Sequence, residues 1–370
     1  MSRTLTILQL LPAMESGGVE RGTLELAQGL VERGHRSLVM SAGGQLVSRL
    51  QDAGSEHFIA PVGQKSLRIF WQVFALRRFL RQQKVDVLHV RSRLPAWVAW
   101  QALNGLSAAQ RPAFVTTVHG FYSVKRYSAI MTQGERVIAV SESTRQYLAD
   151  NYSALDMSLV RVIERGIDQT QYPFQYRPPA TWQQHWYKEY PFLFDRKVLL
   201  LPGRVTRLKG HLDFVDLMAR LIARDSNVFG LIVGGKAAGR EAYWHEIQAR
   251  ITHLNLDEQM AFTGARLDLR NIMAASDMVL SLSSQPESFG RTVQEALSLG
   301  VPVVAYDHGG VAESLARAFP PGGVEPGNME QLEERVYSLL QTPEPVARYT
   351  FQSIDAMVDD TLAVYRELLD

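Results

Sequence analysis

The chain reads as an α/β protein built from two parallel-sheet domains, and three observations lead there. Its 370 residues exceed the ~100–200 of an ordinary domain, so two hydrophobic cores are expected. Short apolar runs alternate with helix-period segments, the pattern of parallel strands joined by crossover helices. The same alternation restarts near Lys197, after a stretch rich in proline and aromatics. Two such domains facing each other would place the carboxyl ends of both sheets at one cleft, where ligands of these folds bind.

The elements follow in order. Strands are expected at "TLTILQLL", "SLVMSAG", "DVLHV" and "AFVTTVH", with helices from about Glu20 and about Gln45, and then at "VIAVSEST" and "VRVIERGID". This is a Rossmann-like half, assigned to 1–170. Residues 171–196, "QYPFQYRPPATWQQHWYKEYPFLFDR", carry no strand signal and are expected to connect the domains, with a short helix at Thr181 to Tyr187. The second domain, 197–349, has strands at "KVLLLPGR", "FGLIVGG", "MAFTG", "MVLSLSS" and "VPVVAYD". Helical "DDTLAVYRELL" lies far past the last strand, and about 350–370 is expected to pack back on the first domain.

Composition narrows the function classes. The chain is 46% hydrophobic and 21% charged, as ordinary soluble proteins are. No run reaches the ~18 apolar residues of a membrane span, and the opening "MSRTLTILQLLPAMESGGVE" lacks a cleavage site, so a buried first strand is expected there. Cysteine is absent, which removes disulfides, thiolate catalysis and thiolate metal sites and fits a cytoplasmic chain. Arg291 to Asp370 carries 13 acidic and 5 basic residues, so the net charge of +1 hides a front part at +9. That part suits an anionic partner or surface. No recognised nucleic-acid module accompanies it.

The chemistry concentrates in "SSQPESFGRTVQEALSLGVPVVA", Ser283 to Ala305. Glu287 falls in a loop just past a strand's carboxyl end. Gly290 precedes a helix whose unpaired amides suit a phosphate. On helical spacing Glu295 lies opposite the apolar Val293, Ala296, Leu297 and Gly300, which alone would make it a solvated residue.

Glu287, Phe289-Gly290, Glu295-Ala296 and Gly300 to Ala305 together resemble the E-x7-E signature of retaining GT-B glycosyltransferases, family four (group 1). The resemblance spans nearly the whole chain and is strongest from Lys197 to Glu313. It implies a GT-B fold and a nucleotide diphosphosugar as co-substrate, with Glu287 near the reacting sugar carbon and Glu295 on the ribose hydroxyls. Ser288, Phe289, Gly290 and Arg291 fall among the implied donor contacts. "GRVTRLKG" matches the family's Gly-Arg-x4-Lys-Gly pattern, which implies that Arg204 and Lys209 neutralise the departing diphosphate. No Asp-x-Asp pair stands in a suitable loop, so no metal and no further cofactor is expected.

Other residues follow from the resemblance. Gly17-Gly18 stands where the family has a glycine turn facing donor phosphate and acceptor, with Glu20 stabilising the helix start. His119 ends "AFVTTVH" where the family has a histidine near the donor sugar, in a hydrogen-bonding role. His35 reads as a helix-to-strand turn residue. "ERGID" resembles the family's Asn-Gly-Val-Asp: Gly166 and Asp168 match, and Arg165 replaces Asn. The backbone around Arg266 and Leu267 is implied to receive the nucleobase, which leaves UDP, GDP and ADP open.

The acceptor is argued from charge. Arg91, Arg93, Lys125 and Arg126 near strand ends suggest an anionic saccharide or glycolipid, as for lipopolysaccharide-core transferases, which the first domain resembles. Lys65 to Lys84 holds six basic residues and no acid, with Phe70, Val73, Phe74, Leu76, Phe79 and Leu80 at helical spacing. It reads either as a helix on an anionic membrane, at the inner face of the cytoplasmic membrane, or as a core crossover with a basic outer face. The leading expectation is sugar transfer in envelope saccharide assembly; a GT-B epimerase and a nonenzymatic nucleotide-sugar or polyanion binder are the alternatives.

Overall fold

A computed structural model describes residues 3–15, 17–64, 69–236, 239 and 241–369. The chain divides into two units, Met1–Gly166 with Gln352–Asp370, and Ile167–Phe351.

The first unit is a parallel sheet of β1 (Thr6–Leu10), β2 (Arg36–Ser41), β3 (Glu56–Ile59), β4 (Val87–Val90), β5 (Ala113–Val118), β6 (Arg136–Ala139) and β7 (Val160–Val162), with α1 (Gly18–Glu32), α2 (Val47–Asp52), α3 (Ile69–Gln83), α4 (Arg93–Leu103) and α5 (Glu142–Asn151). Its strand order is β3-β2-β1-β4-β5-β6-β7. Every residue of β5 is buried, as a strand covered by helices on both faces requires.

The second unit repeats the plan with α6 (Ala180–Glu189), β8 (Lys197–Pro202), α7 (His211–Arg224), β9 (Val228–Val233), α8 (Glu241–His253), β10 (Met260–Phe262), α9 (Leu269–Ala274), β11 (Met278–Ser281), α10 (Arg291–Ser298), β12 (Val303–Tyr306), α11 (Gly309–Ala318), β13 (Gly323–Val324) and α12 (Met329–Gln341). Its order is β10-β9-β8-β11-β12-β13. Strand order therefore reverses between β1 and β4 in one unit and between β8 and β11 in the other. Crevices at such reversals are where open α/β sheets bind ligands.

Two strands have no counterpart in the sequence reading. β3 and β13 are edge strands of four and two residues, too short and mixed to give a pattern. Within residues 171–196, Trp186 and Leu193 are buried in the second core, with Tyr172, Phe174 and Tyr176 packed against it. The last helix, α13 (Ile354–Arg366), buries Met357, Val358, Leu362 and Tyr365 with Leu5, Ile7, Leu26 and Leu30 of the first unit. Its approach to α1 is close, since a Cβ on Gly29 would lie 2.5 Å from Val358 Cγ2.

α3 settles neither of the two readings of its segment wholly. Leu76 and Leu80 are buried, as a crossover helix requires, while Phe70, Trp71 and Phe74 are 66%, 73% and 60% exposed. Residues 65–68, with Lys65 and Arg68, lie outside the described residues. Among the described residues no helix is long and apolar enough to cross a membrane.

Candidate active site

In the second unit, β11 ends at Ser281, and the chain runs through Ser283 and Glu287 before entering α10. Gly290 makes that entry possible. Its φ of 76° is the left-handed conformation that glycine adopts without penalty, and a Cβ there would lie 2.6 Å from Val311 Cγ2. The Glu287 carbonyl accepts the amide of Gly310 at 2.8 Å, pinning the loop to the start of α11. A side chain at Gly309 or Gly310 would strike the backbone of 287–289, so this glycine pair is dictated by the loop it supports.

The Glu287 carboxylate is a quarter exposed and meets the ammonium of Lys209 at 2.6 Å. The Ser283 hydroxyl donates to the same oxygen. Burial alone would raise this carboxyl's pKa. The Lys209 charge and hydrogen bond, the Ser283 hydroxyl and the nearby His308 outweigh it and hold the group below its ordinary value. His308 also bonds the Ser283 carbonyl through Nε2 at 2.9 Å, bracing the loop from behind. Glu287 is thus an ionised, immobilised acceptor.

Glu295 is not on a solvated face. It is 3% exposed, and Arg291 Nε donates to it at 3.0 Å across one helical turn. The expectation from spacing fails because α10 is enclosed on nearly all sides: Val293, Gln294, Glu295, Ala296 and Leu297 are all buried. A buried acid beside a partly buried arginine at a helix N-terminus is a polar site built at the edge of a core.

The loop after β8 supplies the cations. Arg204 is exposed and makes no hydrogen bond or ion pair among the described residues. Arg207 is exposed too, and pairs with Glu246. Lys209 turns inward just before Gly210, whose φ is 69° and whose Cα leaves no room for a Cβ beside the Leu282 carbonyl. At the third strand end, Arg266 is held by both oxygens of Asp268, at 2.9 and 3.0 Å, and by Glu189 at 3.1 Å. Its side chain is therefore engaged. Leu267 beside it is fully exposed.

In the first unit, Gly17-Gly18 opens α1 past the end of β1, with Glu20 in the first turn. His119 stands just past β5. The structure gives this histidine a partner that sequence left unassigned: Arg165 Nη2 lies 2.9 Å from His119 Nδ1, and Arg165 Nη1 donates to the Gly18 carbonyl. Burial lowers the His119 pKa well below its ordinary value, and the charges of Arg165 and Arg91 lower it further, so the ring is neutral.

The four basic residues grouped as one cationic mouth are not alike. Arg91 is 6% exposed and lies beneath α1, its pKa pushed down to about 10 by burial. It is a buried cation rather than a surface one. Arg93 stacks on Tyr122 and Tyr127 and bonds Ser128 Oγ at 3.3 Å. Lys125 and Arg126 are exposed.

Residues 16–171 match Glycosyltransferase Family 4, and residues 184–353 match Glycosyl transferases group 1. The chain belongs to these glycosyltransferases. Its two sheets are the two domains of their GT-B fold. A glycosyltransferase from Rickettsia africae is 29% identical over the whole of both chains with a TM-score of 0.86. HepE of Anabaena, solved with UDP and glucose, is 20% identical over 99% of this chain and 96% of its own, with a TM-score of 0.79. Mannosylfructose-phosphate synthase of Agrobacterium fabrum is 33% identical over 163 residues, which is 40% of this transferase and 36% of the synthase.

In the glycosyltransferase the residues that sequence reasoning missed are Ser283, His308 and Arg165. The first two were hidden in a serine run and a "DHGG" turn. Arg165 carried a signal, its departure from the family's asparagine, but its partner is 46 positions away.

Proposed function

We propose that the protein is a retaining, metal-independent glycosyltransferase that moves a sugar from a nucleotide diphosphosugar to an anionic saccharide or glycolipid of the bacterial envelope, as in lipopolysaccharide or polysaccharide assembly. The observation that carries this reading is the Lys209–Glu287 pair, set between a strand end and the N-terminus of α10, with buried Glu295 one turn further on. A sugar, a diphosphate and a ribose need these groups in this order.

In this reading the α10 amides and the cations of Arg204 and Lys209 receive the diphosphate, and Glu295 accepts the ribose hydroxyls. Glu287, ionised and fixed, accepts from hydroxyls of the donor sugar. The bond from the anomeric carbon to the phosphate oxygen breaks, with its electron pair passing to the phosphate. The acceptor hydroxyl attacks from the same face and yields its proton to the departing phosphate, so no protein nucleophile is required. HepE was solved with UDP and glucose, which supports a nucleotide-sugar donor here. Exposed Lys125 and Arg126 favour a negatively charged acceptor, and outward Phe70, Trp71 and Phe74 beside Arg78 favour residence on an anionic membrane surface.

Thermal shift over UDP, GDP, ADP and their sugars tests the donor, because a ligand of the folded state raises the melting temperature. No shift with any of them ends this reading. Product anomeric configuration by NMR tests retention, and turnover of a sugar nucleotide without acceptor would favour the epimerase.

A further inference from the structure

We propose that Arg165 is a positioning residue that fixes the ring and the tautomer of His119, so that His119 presents Nε2–H as a permanent hydrogen-bond donor. The proposal rests on the reading of His119 as a group facing the donor sugar, and it goes beyond that reading by naming what holds the imidazole in place.

The geometry carries it. A guanidinium has five N–H donors and no acceptor, so the 2.9 Å contact from Arg165 Nη2 obliges His119 Nδ1 to accept. In a neutral imidazole the proton must then sit on Nε2. The same guanidinium donates through Nη1 to the carbonyl of Gly18, in the turn that opens α1. One planar fork thus ties a strand end to a helix start, and rotation of either bond would break the other. Gly18 is part of the device, because a Cβ there would fall 2.6 Å from Arg165 Nη1.

The surroundings agree. Arg165 is 8% exposed, so its charge is committed inward. Among the described residues, Arg165 from the loop after β7, Arg91 and His89 from β4 and its end, and Tyr122, whose hydroxyl accepts the His119 amide at 3.4 Å, face His119. His89 is itself bound between Tyr365 and Thr117, both at 2.6 Å, and is not free to exchange protons with its neighbour. With Nδ1 occupied by the Arg165 guanidinium, the neutral ring acts as a donor through Nε2 rather than as a base.

The test reads the ring directly. Nitrogen-15 NMR of the histidine-labelled wild-type chain, with His119 assigned from the His119→Gln spectrum, should show Nδ1 unprotonated, Nε2 protonated and no titration between about pH 5 and 8. In Arg165→Met the Nδ1 resonance should move and the ring should populate both tautomers. Its kcat should fall by about tenfold to a hundredfold with KM for the donor little changed, as misplacement of a contact group predicts. Arg165→Lys, which keeps one donor and the charge, should recover part of both effects. A protonated Nδ1 in the wild type, or an unchanged tautomer in folded Arg165→Met, overturns the proposal whatever the enzyme transfers. If instead the NMR results hold but no nucleotide sugar binds or turns over, the functional reading fails and the positioning role stands.

Discussion

Lys209 Nζ and Glu287 Oε1 lie 2.6 Å apart, joining the loop after β8 to the loop after β11 at the point where strand order reverses. Sequence assigned these residues separate tasks, one at the phosphates and one at the sugar. The structure shows that Lys209 also holds Glu287 in its ionised form. Lys209→Met should strip the counter-ion from a carboxylate that is only a quarter exposed and destabilise the fold by about 1–2 kcal/mol, less than for a fully buried pair because water still reaches it.

The same pair has a pH signature. Because the folded-state pKa of Glu287 is depressed, its stabilising contribution is present above the unfolded-state value and is lost as pH falls through the folded one. The gap in melting temperature between wild type and Lys209→Met should therefore be widest near neutrality and shrink once pH drops below about 4. A gap that stays constant down to acid pH would mean that Lys209 does not stabilise the ionised form.

Glu295 predicts a double loss. Glu295→Ala should weaken binding of the bare nucleotide diphosphate as well as the sugar nucleotide, by about 1–3 kcal/mol for a lost charged hydrogen bond. It also leaves the Arg291 guanidinium, 12% exposed, without the carboxylate it bonds, so the melting temperature should fall with it. Adding Arg291→Met should restore stability without restoring affinity. If calorimetry shows unchanged affinity for the nucleotide, the acid serves only the helix.

Arg204 predicts the opposite division. It is exposed and bonded to nothing among the described residues, so Arg204→Ala should change stability by less than about 0.5 kcal/mol. Turnover should fall by about a hundredfold or more, as for other preorganised charges at a leaving group. A chelator should leave the wild-type rate unchanged; collapse of activity on chelation would sink the metal-independent mechanism.

What sequence conveyed and what it hid have physical reasons. The two acids, the glycine between them and the Arg204–Lys209 spacing were legible because each motif is a single strand-loop-helix passage, local in the chain. Long buried strands such as β5 and β9 were legible because both faces are covered. Edge strands β3 and β13 were not, having a few residues and no alternation. Glu295 was misread by periodicity alone, since a helix enclosed all round has no solvent side to mark. The Arg165–His119 bond joins loops after β7 and β5, and no local pattern encodes it. Arg91 looked like a surface cation from its place after a strand, yet α1 covers it.

α3 carries the last prediction. The basic residues expected to meet lipid are not equally available: Arg77 donates to the carbonyls of Ala102 and Gln101, both at 3.2 Å, and Arg81 bonds Gln110 at 3.1 Å. Arg78 is exposed without such ties among the described residues. Beside it stand Phe70, Trp71 and Phe74, an apolar face turned away from the core that Leu76 and Leu80 enter. Aromatic side chains insert at the headgroup boundary, while a well-placed cation near an anionic surface adds about 1 kcal/mol. The aromatic contribution should therefore dominate. Vesicles containing anionic lipid should float the wild-type protein at low salt, Arg78→Gln should weaken flotation and make what remains less sensitive to salt, and Trp71→Ser with Phe74→Ser should abolish it while nucleotide affinity stays unchanged. Tryptophan emission should shift to the blue on vesicle addition in the wild type. If the aromatic double variant floats as well as the wild type, the outward face of α3 is not the membrane contact and the acceptor reaches the enzyme by another surface.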